Sequence, residues 1–217
     1  MKCDKKLESQ ISIPNGVKIE KKEQFLIFSG VLGVTQLDLT KIDPMGLGGI
    51  RISKDEKTLF VFGRLKPFFY SLKSLLINKI RGVTVGFLVS LRLVGVGYRA
   101  FLEKNKEKSE NQSLREQSLS LLLPDRGCAS SSSSLAARGK DVLNFKCGYS
   151  HNLKYQVPSS VRPFLLEPTS LLLFGIDKNQ VSQVGHIIRS FKVPERYKGK
   201  GIRFTTERVT LSQGKRK

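Results

Sequence analysis

The alternation of apolar and polar residues predicts two copies of one structural unit along the chain. The apolar run Thr58-Leu-Phe-Val-Phe-Gly63 returns 112 positions later as Ser170-Leu-Leu-Leu-Phe-Gly175. Each run favours a strand, ends in glycine and precedes a segment whose apolar residues fall at helical spacing. Upstream, Ile13-Pro-Asn-Gly-Val17 and Val157-Pro-Ser-Ser-Val161 extend the likeness. The pattern therefore predicts a duplicated unit of strands followed by a helix.

Two amphipathic helices are predicted after the repeated strands. In the first copy Pro67 suits the first helical turn, and Gly82 is the expected stop. In the second copy Asp177 is the expected N-cap, and Pro194 ends the helix. The expected apolar faces are Leu65, Phe68, Leu72, Leu75, Leu76, Ile80 and Val83 in the first helix, and Val181, Val184, Ile188 and Phe191 in the second. Runs of strands with one helix each indicate an α+β protein with small, mostly antiparallel sheets.

The periodic pattern stops between residues 104 and 142. This interval carries seven basic and five acidic side chains and the unbroken serines Ser130 to Ser134. Such a composition buries too little apolar surface to order itself, so we expect a long disordered insertion. The pattern resumes at Leu143. The insertion is therefore predicted to extend the turn of a hairpin between strands near residues 91–103 and 143–148.

The charge of the chain adds a partner to this picture. Lys and Arg total 38 against 18 Asp and Glu, a formal net charge of +20. An excess of this size indicates a polyanionic partner, and nucleic acid is the first candidate. An anionic membrane surface and a role in solubility are the alternatives, and the distribution of charge separates them. Arg92 interrupts the apolar stretch from Val83 to Tyr98, so we expect no membrane insertion.

The basic excess is concentrated at the C-terminus. From Arg189 to Lys217 there are ten Lys or Arg, Lys192 among them, and two acidic residues. A charge run is usually a solvated face. In Tyr197-Lys198-Gly199-Lys200-Gly201, however, two glycines flank Lys200 and permit a backbone path that brings N–H and ammonium groups close to phosphate oxygens. Tyr197 can stack on an exposed base, so we expect RNA contact here.

A second glycine-spaced segment, Gly95-Val-Gly-Tyr-Arg-Ala100, formally fits a dinucleotide-binding fingerprint. That interpretation requires a helix at the second glycine. Phe101-Leu-Glu103 and a Lys-, Glu- and Ser-rich tract follow instead, so the βαβ context is missing. We expect a structural role, with the glycines permitting a bulge or a close approach and Arg99 available to a phosphate. A nucleotide-dependent enzyme using Gly95 and Gly97 is the second hypothesis, and a membrane-surface protein is the third.

Other catalytic or metal chemistry has little support in the sequence. The odd count and irregular spacing of Cys3, Cys128 and Cys147 predict free thiols in a reducing compartment. His151 is four residues from Cys147, but a structural zinc site needs four ligands at recognisable spacing. His186 falls off the apolar helix face and is expected to meet solvent or RNA. We find no G-x-S-x-G motif and expect no enzyme and no cofactor. The first ten residues lack the apolar centre of a secretory signal, so none is needed or it has been removed.

Four motifs resemble bacterial-type large-subunit ribosomal protein six in residues, order and spacing. They are Leu93-Val-Gly-Val-Gly-Tyr-Arg-Ala100, Gly148-Tyr-Ser-His151, Gly175-Ile-Asp-Lys178 and Pro194 to Arg203. The last, with its Pro-Glu-x-Tyr-Lys-Gly-Lys-Gly-Ile run, is the most specific. The resemblance covers nearly the whole chain outside the insertion, although it is weaker before Arg81.

The resemblance implies two duplicated α+β domains, which we place at residues 1–86 and 87–217, the second with the insertion and the basic tail. It implies that the second domain binds large-subunit rRNA near the sarcin-ricin loop and the translation-factor site, beside other ribosomal proteins. By motif, the RNA-contact role falls to Tyr197, Lys198, Lys200 and Arg203, and then to Lys178 and Arg99. The further expected contacts in the basic C-terminal stretch are Gly199, Gly201, Arg189 and Lys192. The insertion departs from the short turn of the family and favours a mitochondrial version, with a plastid or bacterial ribosome as alternatives.

Overall fold

The structure, a computed structural model, describes residues 7–43, 45–46, 48–53, 57–103 and 141–213. Its strands are β1 Leu7–Ser12, β2 Lys18–Lys22, β3 Phe25–Gly30, β4 Gly33–Asp38, β5 Gly48–Ile52, β6 Thr58–Gly63, β7 Phe87–Val94, β8 Arg99–Glu103, β9 Val142–Lys146, β10 Leu153–Gln156, β11 Val161–Glu167, β12 Ser170–Gly175 and β13 Gly201–Phe204. Its helices are α1 Leu39–Ile42, α2 Lys66–Thr84 and α3 Lys178–Phe191. The expected disordered insertion, residues 104–142, lies outside these residues except for Asp141 and Val142, of which Val142 belongs to β9.

The chain divides into two compact units. Unit 1 comprises residues 1–88 and Phe174–Ser182, and unit 2 comprises Val89–Leu173 and Gln183–Lys217. The strands pair antiparallel in β1-β6-β5, β2-β3-β4 and β10-β9-β8, and β13 pairs antiparallel with β7. The α+β class with mostly antiparallel sheets and few helices is confirmed. The domain boundary at residues 86 and 87 stays a prediction.

The two repeated strands have the same pattern of burial. In β6 and in β12 the second, fourth and sixth residues are buried and the others are half-buried. This alternation follows from the pleat, which turns successive side chains to opposite faces of a sheet. Each strand is followed within a few residues by a helix, α2 or α3. The duplicated unit of strands and helix is confirmed.

Unit 1 has a core between its two sheets and α2. Leu59 and Val61 of β6 and Leu76 of α2 are fully buried there, together with Leu26 and Phe28 of β3. Burying one such side chain contributes about 1.5–3 kcal/mol of transfer free energy. The helix is held by this apolar face, since Leu65 N-caps it without a side-chain hydrogen bond.

The prediction that Gly82 ends the first helix is wrong. The helix continues to Thr84, and Gly86 is the stop, with φ +79° and its N–H donating to the carbonyl oxygen of Arg81 at 3.1 Å. Gly82 has a different role inside the helix. A Cβ at this position would lie 2.2 Å from the carbonyl oxygen of Ile176, so only glycine permits this close approach of two backbones.

The predicted apolar faces of the helices are mostly confirmed. Leu65 is an exception, because it precedes α2 and is 51% exposed, whereas Phe69 is buried in the core. In α3 the residues Val181, Val184 and Ile188 are buried as expected. Within the described residues, no helix has the length and apolar character needed to cross a membrane.

Unit 2 contains the predicted hairpin that carries the insertion. β8 and β9 pair antiparallel over five residues, from Arg99 opposite Lys146 to Glu103 opposite Val142. The predicted pairing is confirmed, but the first strand of the hairpin begins only at Arg99, because a turn at residues 95–98 separates β8 from β7. The fully buried side chains of unit 2 include Leu91, Leu143, Phe145, Leu171, Leu173, Ile188 and Ile202.

Candidate nucleic-acid interface

The segment between α3 and β13 is an ordered loop, residues 192–200, which we call the basic loop. The N–H of Glu195 donates to the carbonyl oxygen of Lys200 at 2.9 Å, and the N–H of Gly199 donates back to the carbonyl oxygen of Glu195 at 3.1 Å. The N–H of Ile202 donates to the carbonyl oxygen of Lys192 at 2.8 Å. These bonds close the loop on itself, so its side chains project from a fixed backbone.

The backbone at positions 199 and 201, in and directly after the basic loop, favours glycine. Gly199 has φ +69° and Gly201 has φ +147°, in the region that favours glycine. At Gly201 a Cβ would also lie 2.7 Å from Cα of Pro194 and 2.9 Å from the carbonyl oxygen of Lys192. The spacing of the glycines therefore sets the path of the basic loop.

The loop exposes its aromatic ring and its lysines. The side chain of Tyr197 is 66% exposed, Lys198 is exposed, and Lys200 is half-buried. Arg203 follows on β13, where its register partner is the exposed Arg92 of β7. Sequence reasoning treated Arg92 only as an interruption of an apolar stretch. Its place in register with Arg203 makes it a further candidate for phosphate contact.

Through Lys192, the basic loop contacts a second loop, which contains Tyr149. Nζ of Lys192 lies 4.8 Å from the ring centroid of Tyr149, and the hydroxyl of Tyr149 donates to the carbonyl oxygen of Phe191 at 3.0 Å. The ring of His151 lies 6.2 Å from that of Tyr149, and both residues are exposed. Sequence reasoning missed Tyr149 and His151 as site residues. The signal that could have found them is the Gly148-Tyr-Ser-His151 motif.

Arg189, another predicted contact residue, has an acidic partner. Its guanidinium donates to both carboxylate oxygens of Glu207, and this hydrogen bonding raises the pKa of Arg189 and lowers that of Glu207. A carboxylate at this distance repels a phosphate, so the pair weakens any phosphate contact of Arg189. The pair fixes the chain that follows β13.

The remaining two candidates, Arg99 and Lys178, are both exposed. Arg99 begins β8, and its Cζ lies 5.8 Å from the ring centroid of Phe101. Lys178 begins α3 directly after Asp177, as expected, and belongs to unit 1. His186 is exposed, with its ring 4.9 Å from that of Phe204.

The segment from Gly95 to Tyr98 is a turn. The N–H of Tyr98 donates to the carbonyl oxygen of Gly95 at 3.2 Å, and the strand β8 follows where a nucleotide site needs a helix. The ring of Tyr98 lies 2.9 Å from the place of a Cβ on Gly95, and its hydroxyl lies 3.1 Å from that of a Cβ on Gly148. The close approach expected for this glycine is present.

In the part of the chain that the structure describes, no group of three or more His, Cys, Asp or Glu residues could hold a metal ion. Cys147 is buried and has a free thiol. Burial raises the pKa of this thiol, and the charge of Lys192 opposes the shift. The absence of a cofactor stays a prediction.

Comparison with known proteins adds relatives along the whole chain. The family profile of ribosomal protein L6 matches residues 134–205, which include the basic loop. The large ribosomal subunit protein uL6m of Prototheca wickerhamii is 34% identical over 213 residues, which cover 97% of each chain. The uL6 proteins of Rhodospirillum centenum and Paramagnetospirillum magneticum are 31% and 30% identical, over 95% of this chain and 96% of each relative.

Proposed function

Because the chain belongs to the family of large ribosomal subunit protein uL6, we propose that it holds large-subunit rRNA through the basic loop and Arg203. Members of this family are structural components of the ribosome and not enzymes, in agreement with the expectation from the sequence. The chain therefore acts by binding and positioning, and its own residues need no catalytic arrangement.

The observation that carries this proposal is the hydrogen-bonded backbone of the basic loop. It presents Tyr197 and Lys198 outward from a path that Gly199 and Gly201 make possible. A preformed loop loses little conformational entropy on binding, and its cations can meet phosphates while the ring meets a base. Lys192, Lys200 and Arg203 extend the positive surface on either side.

The site on the ribosome is part of the proposal. We place unit 2 beside the sarcin-ricin loop of the large-subunit rRNA, next to the site where translation factors bind and among neighbouring ribosomal proteins. The ribosome in question is the mitochondrial one, since the relative at 34% identity is the mitochondrial form uL6m and the other two are bacterial. Purified mitochondrial ribosomes should retain the chain on the large subunit through a high-salt sucrose gradient.

A charge variant of the loop tests the RNA contact. Replacing Lys198, Lys200 and Arg203 with Ala should weaken binding to an rRNA transcript that carries the sarcin-ricin stem-loop. Each lost phosphate contact should lower the slope of log affinity against log salt by about 1, so the slope should fall by about 2–3. Filter binding between 50 and 200 mM salt measures both quantities.

A matched control separates the site from the net charge. The β2 triple, Lys18, Lys21 and Lys22 changed to Gln, removes the same number of cations from unit 1, where all three are exposed. The β2 triple should bind the transcript nearly as the wild type does. Equal binding by the loop variant and the β2 triple would remove the assignment of the basic loop, and competition of RNA by anionic liposomes would favour a membrane surface.

A further inference from the structure

The outer face of the sheet β8-β9-β10 carries a set of side chains outside the basic loop. The antiparallel register places Arg99 opposite Lys146 and Phe101 opposite Asn144. On its other side Asn144, which is buried at the centre of the three strands, pairs with Lys154 of β10. Residues that face each other across antiparallel strands share one face of the sheet, so these five side chains lie together and are called the sheet face. The intervening residues turn to the core and include Ala100, Leu143 and Phe145.

The cations of the sheet face have no acidic partner in the described part of the chain. Arg99, Lys146 and Lys154 are exposed, and none of them forms a salt bridge there. Arg99 and Lys146 are direct cross-strand partners, and like charges in this position destabilise the pairing. Glu103, the acidic residue on this side of β8, lies at the opposite end of the strand. This repulsion lowers the stability of the free protein, whereas a bound polyanion removes it.

An aromatic ring lies next to Arg99 on this face, between Arg99 and Glu103 along β8. Phe101 is 46% exposed, and the Cζ of Arg99 lies 5.8 Å from its ring centroid. An exposed ring beside a cation suits a nucleotide, whose base stacks on the ring while its phosphates meet the nearby charges. An acidic protein segment would use the cations and leave the ring without a partner.

We propose that the sheet face is a second RNA-contact surface, which takes an unpaired nucleotide with its base on Phe101 and its phosphates on Arg99, Lys146 and Lys154. Lys146 lies three residues before Tyr149, whose ring contacts Lys192 of the basic loop. One RNA strand can therefore follow the sheet face into the basic loop. The choice of RNA as the ligand rests on the proposed function.

A single fluorophore tests the stacking contact. The chain has no tryptophan, so Phe101→Trp places one indole on the sheet face. Titration with the sarcin-ricin transcript should quench its emission, and polyglutamate should not. Tyr70→Trp, at a site on α2 that is 59% exposed, is the control and should keep its emission. Bound transcript without quenching at position 101 would overturn the inference, and quenching by polyglutamate would replace RNA with an acidic protein.

A charge variant tests the phosphate contacts. Changing Arg99, Lys146 and Lys154 to Gln should lower the salt slope by about 2–3 and weaken binding about tenfold or more at 150 mM salt, whereas the β2 triple should not. The variant should unfold at the same temperature as the wild type or higher, because the cross-strand repulsion is gone. Binding equal to that of the β2 triple would overturn the inference.

The two surfaces give separate outcomes. The sheet-face variant, with Arg99, Lys146 and Lys154 changed to Gln, can lose affinity for the transcript while the basic-loop variant binds as the wild type does. In that case the sheet face stands and the assignment of the basic loop fails. If only the basic-loop variant loses affinity, the sheet face fails and the proposed function stands. Loss in both variants supports one continuous RNA surface. Loss in neither overturns both.

Discussion

Arg189 of α3 and Glu207, which follows β13, are joined by two hydrogen bonds through both oxygens of the carboxylate. Nε of Arg189 donates to Oε2 at 2.9 Å, and Nη2 donates to Oε1. Oε2 also accepts a hydrogen bond from the N–H of Phe204 at 3.3 Å. The pair links the helix before the basic loop to the chain after β13. It therefore holds both ends of the segment that we assign to RNA.

The variant Glu207→Gln should lower the free energy of unfolding by about 1 kcal/mol, since a two-bond Arg–carboxylate pair near the surface is worth little more than this. The hydrogen bonds from Arg189 hold the pKa of Glu207 below its ordinary value of 4.5. A lowered pKa means that the stabilisation is complete above pH 4.5 and is lost as the pH falls through the lower value of the folded protein.

Chemical denaturation of the wild type and of Glu207→Gln between pH 7 and pH 3 measures this difference. The two stabilities should converge in acid. Glu195→Gln is the control, because Glu195 is exposed and its side chain has no hydrogen bond or salt bridge with a described residue. A constant difference across the whole range would contradict the prediction.

Gly201→Ala should distort the basic loop as well as destabilise unit 2. The new Cβ would meet backbone atoms of Pro194 and Lys192, which cannot turn aside as a side chain can. We expect a loss of about 2–3 kcal/mol in unfolding free energy and weaker binding of the rRNA transcript. Gly97→Ala is the control: Gly97 has φ +75°, and no described atom lies within 4 Å of a Cβ there. Equal losses in the two variants would show that the contacts at Gly201 are unimportant.

Gly82→Ala should destabilise unit 1, although alanine favours a helix by about 1 kcal/mol over glycine. The Cβ would overlap the carbonyl oxygen of Ile176, so the backbones must separate, at a cost of about 3 kcal/mol. Ser74→Ala, at an exposed position of the same helix, should be neutral or slightly stabilising. Thermal unfolding of both variants measures the sign, and a more stable Gly82→Ala would contradict the close approach.

The thiol of Cys147 should resist alkylation in the folded protein at pH 7.5. It is fully buried, and this burial raises its pKa and so reduces the reactive thiolate. Mass spectrometry of the peptide that contains Cys147 after treatment with iodoacetamide should show the unmodified thiol, and denaturant should make it reactive. Rapid alkylation of the folded protein would contradict its position in the core.

The fold could be predicted to the extent that it depends on local periodicity. β6 and β12 alternate their buried residues at a spacing of two, and α3 buries Val181, Val184 and Ile188 at helical spacing, so the sequence contains both signals. The role of Gly82 could not be predicted in the same way. It is set by the carbonyl oxygen of Ile176, which tertiary packing brings from far along the chain.

The candidate site, too, could be predicted from the sequence only in part. The basic loop is visible in the sequence because its glycines and lysines are neighbours. Tyr149 joins it only through contacts with Phe191 and Lys192, 42 or more residues later, and Arg92 meets Arg203 only through the pairing of β7 with β13. Side chains that become neighbours through pairing leave no local pattern, so the sheet face also emerges only from the register of three strands.

The pairing of β8 with β9 indicates where extra sequence can be inserted into this protein. The two strands keep a five-residue register although 38 residues separate Glu103 from Val142. The register is therefore set by which side chains face the core, and a tight turn is not required. Since even a tenfold longer connection costs only about 2 kcal/mol in closure entropy, a reporter domain or a new pair of termini can be placed there. The connection between β8 and β9 therefore tolerates insertions. Evolution or an engineer can add sequence there while both sheets of unit 2 and the basic loop keep their geometry.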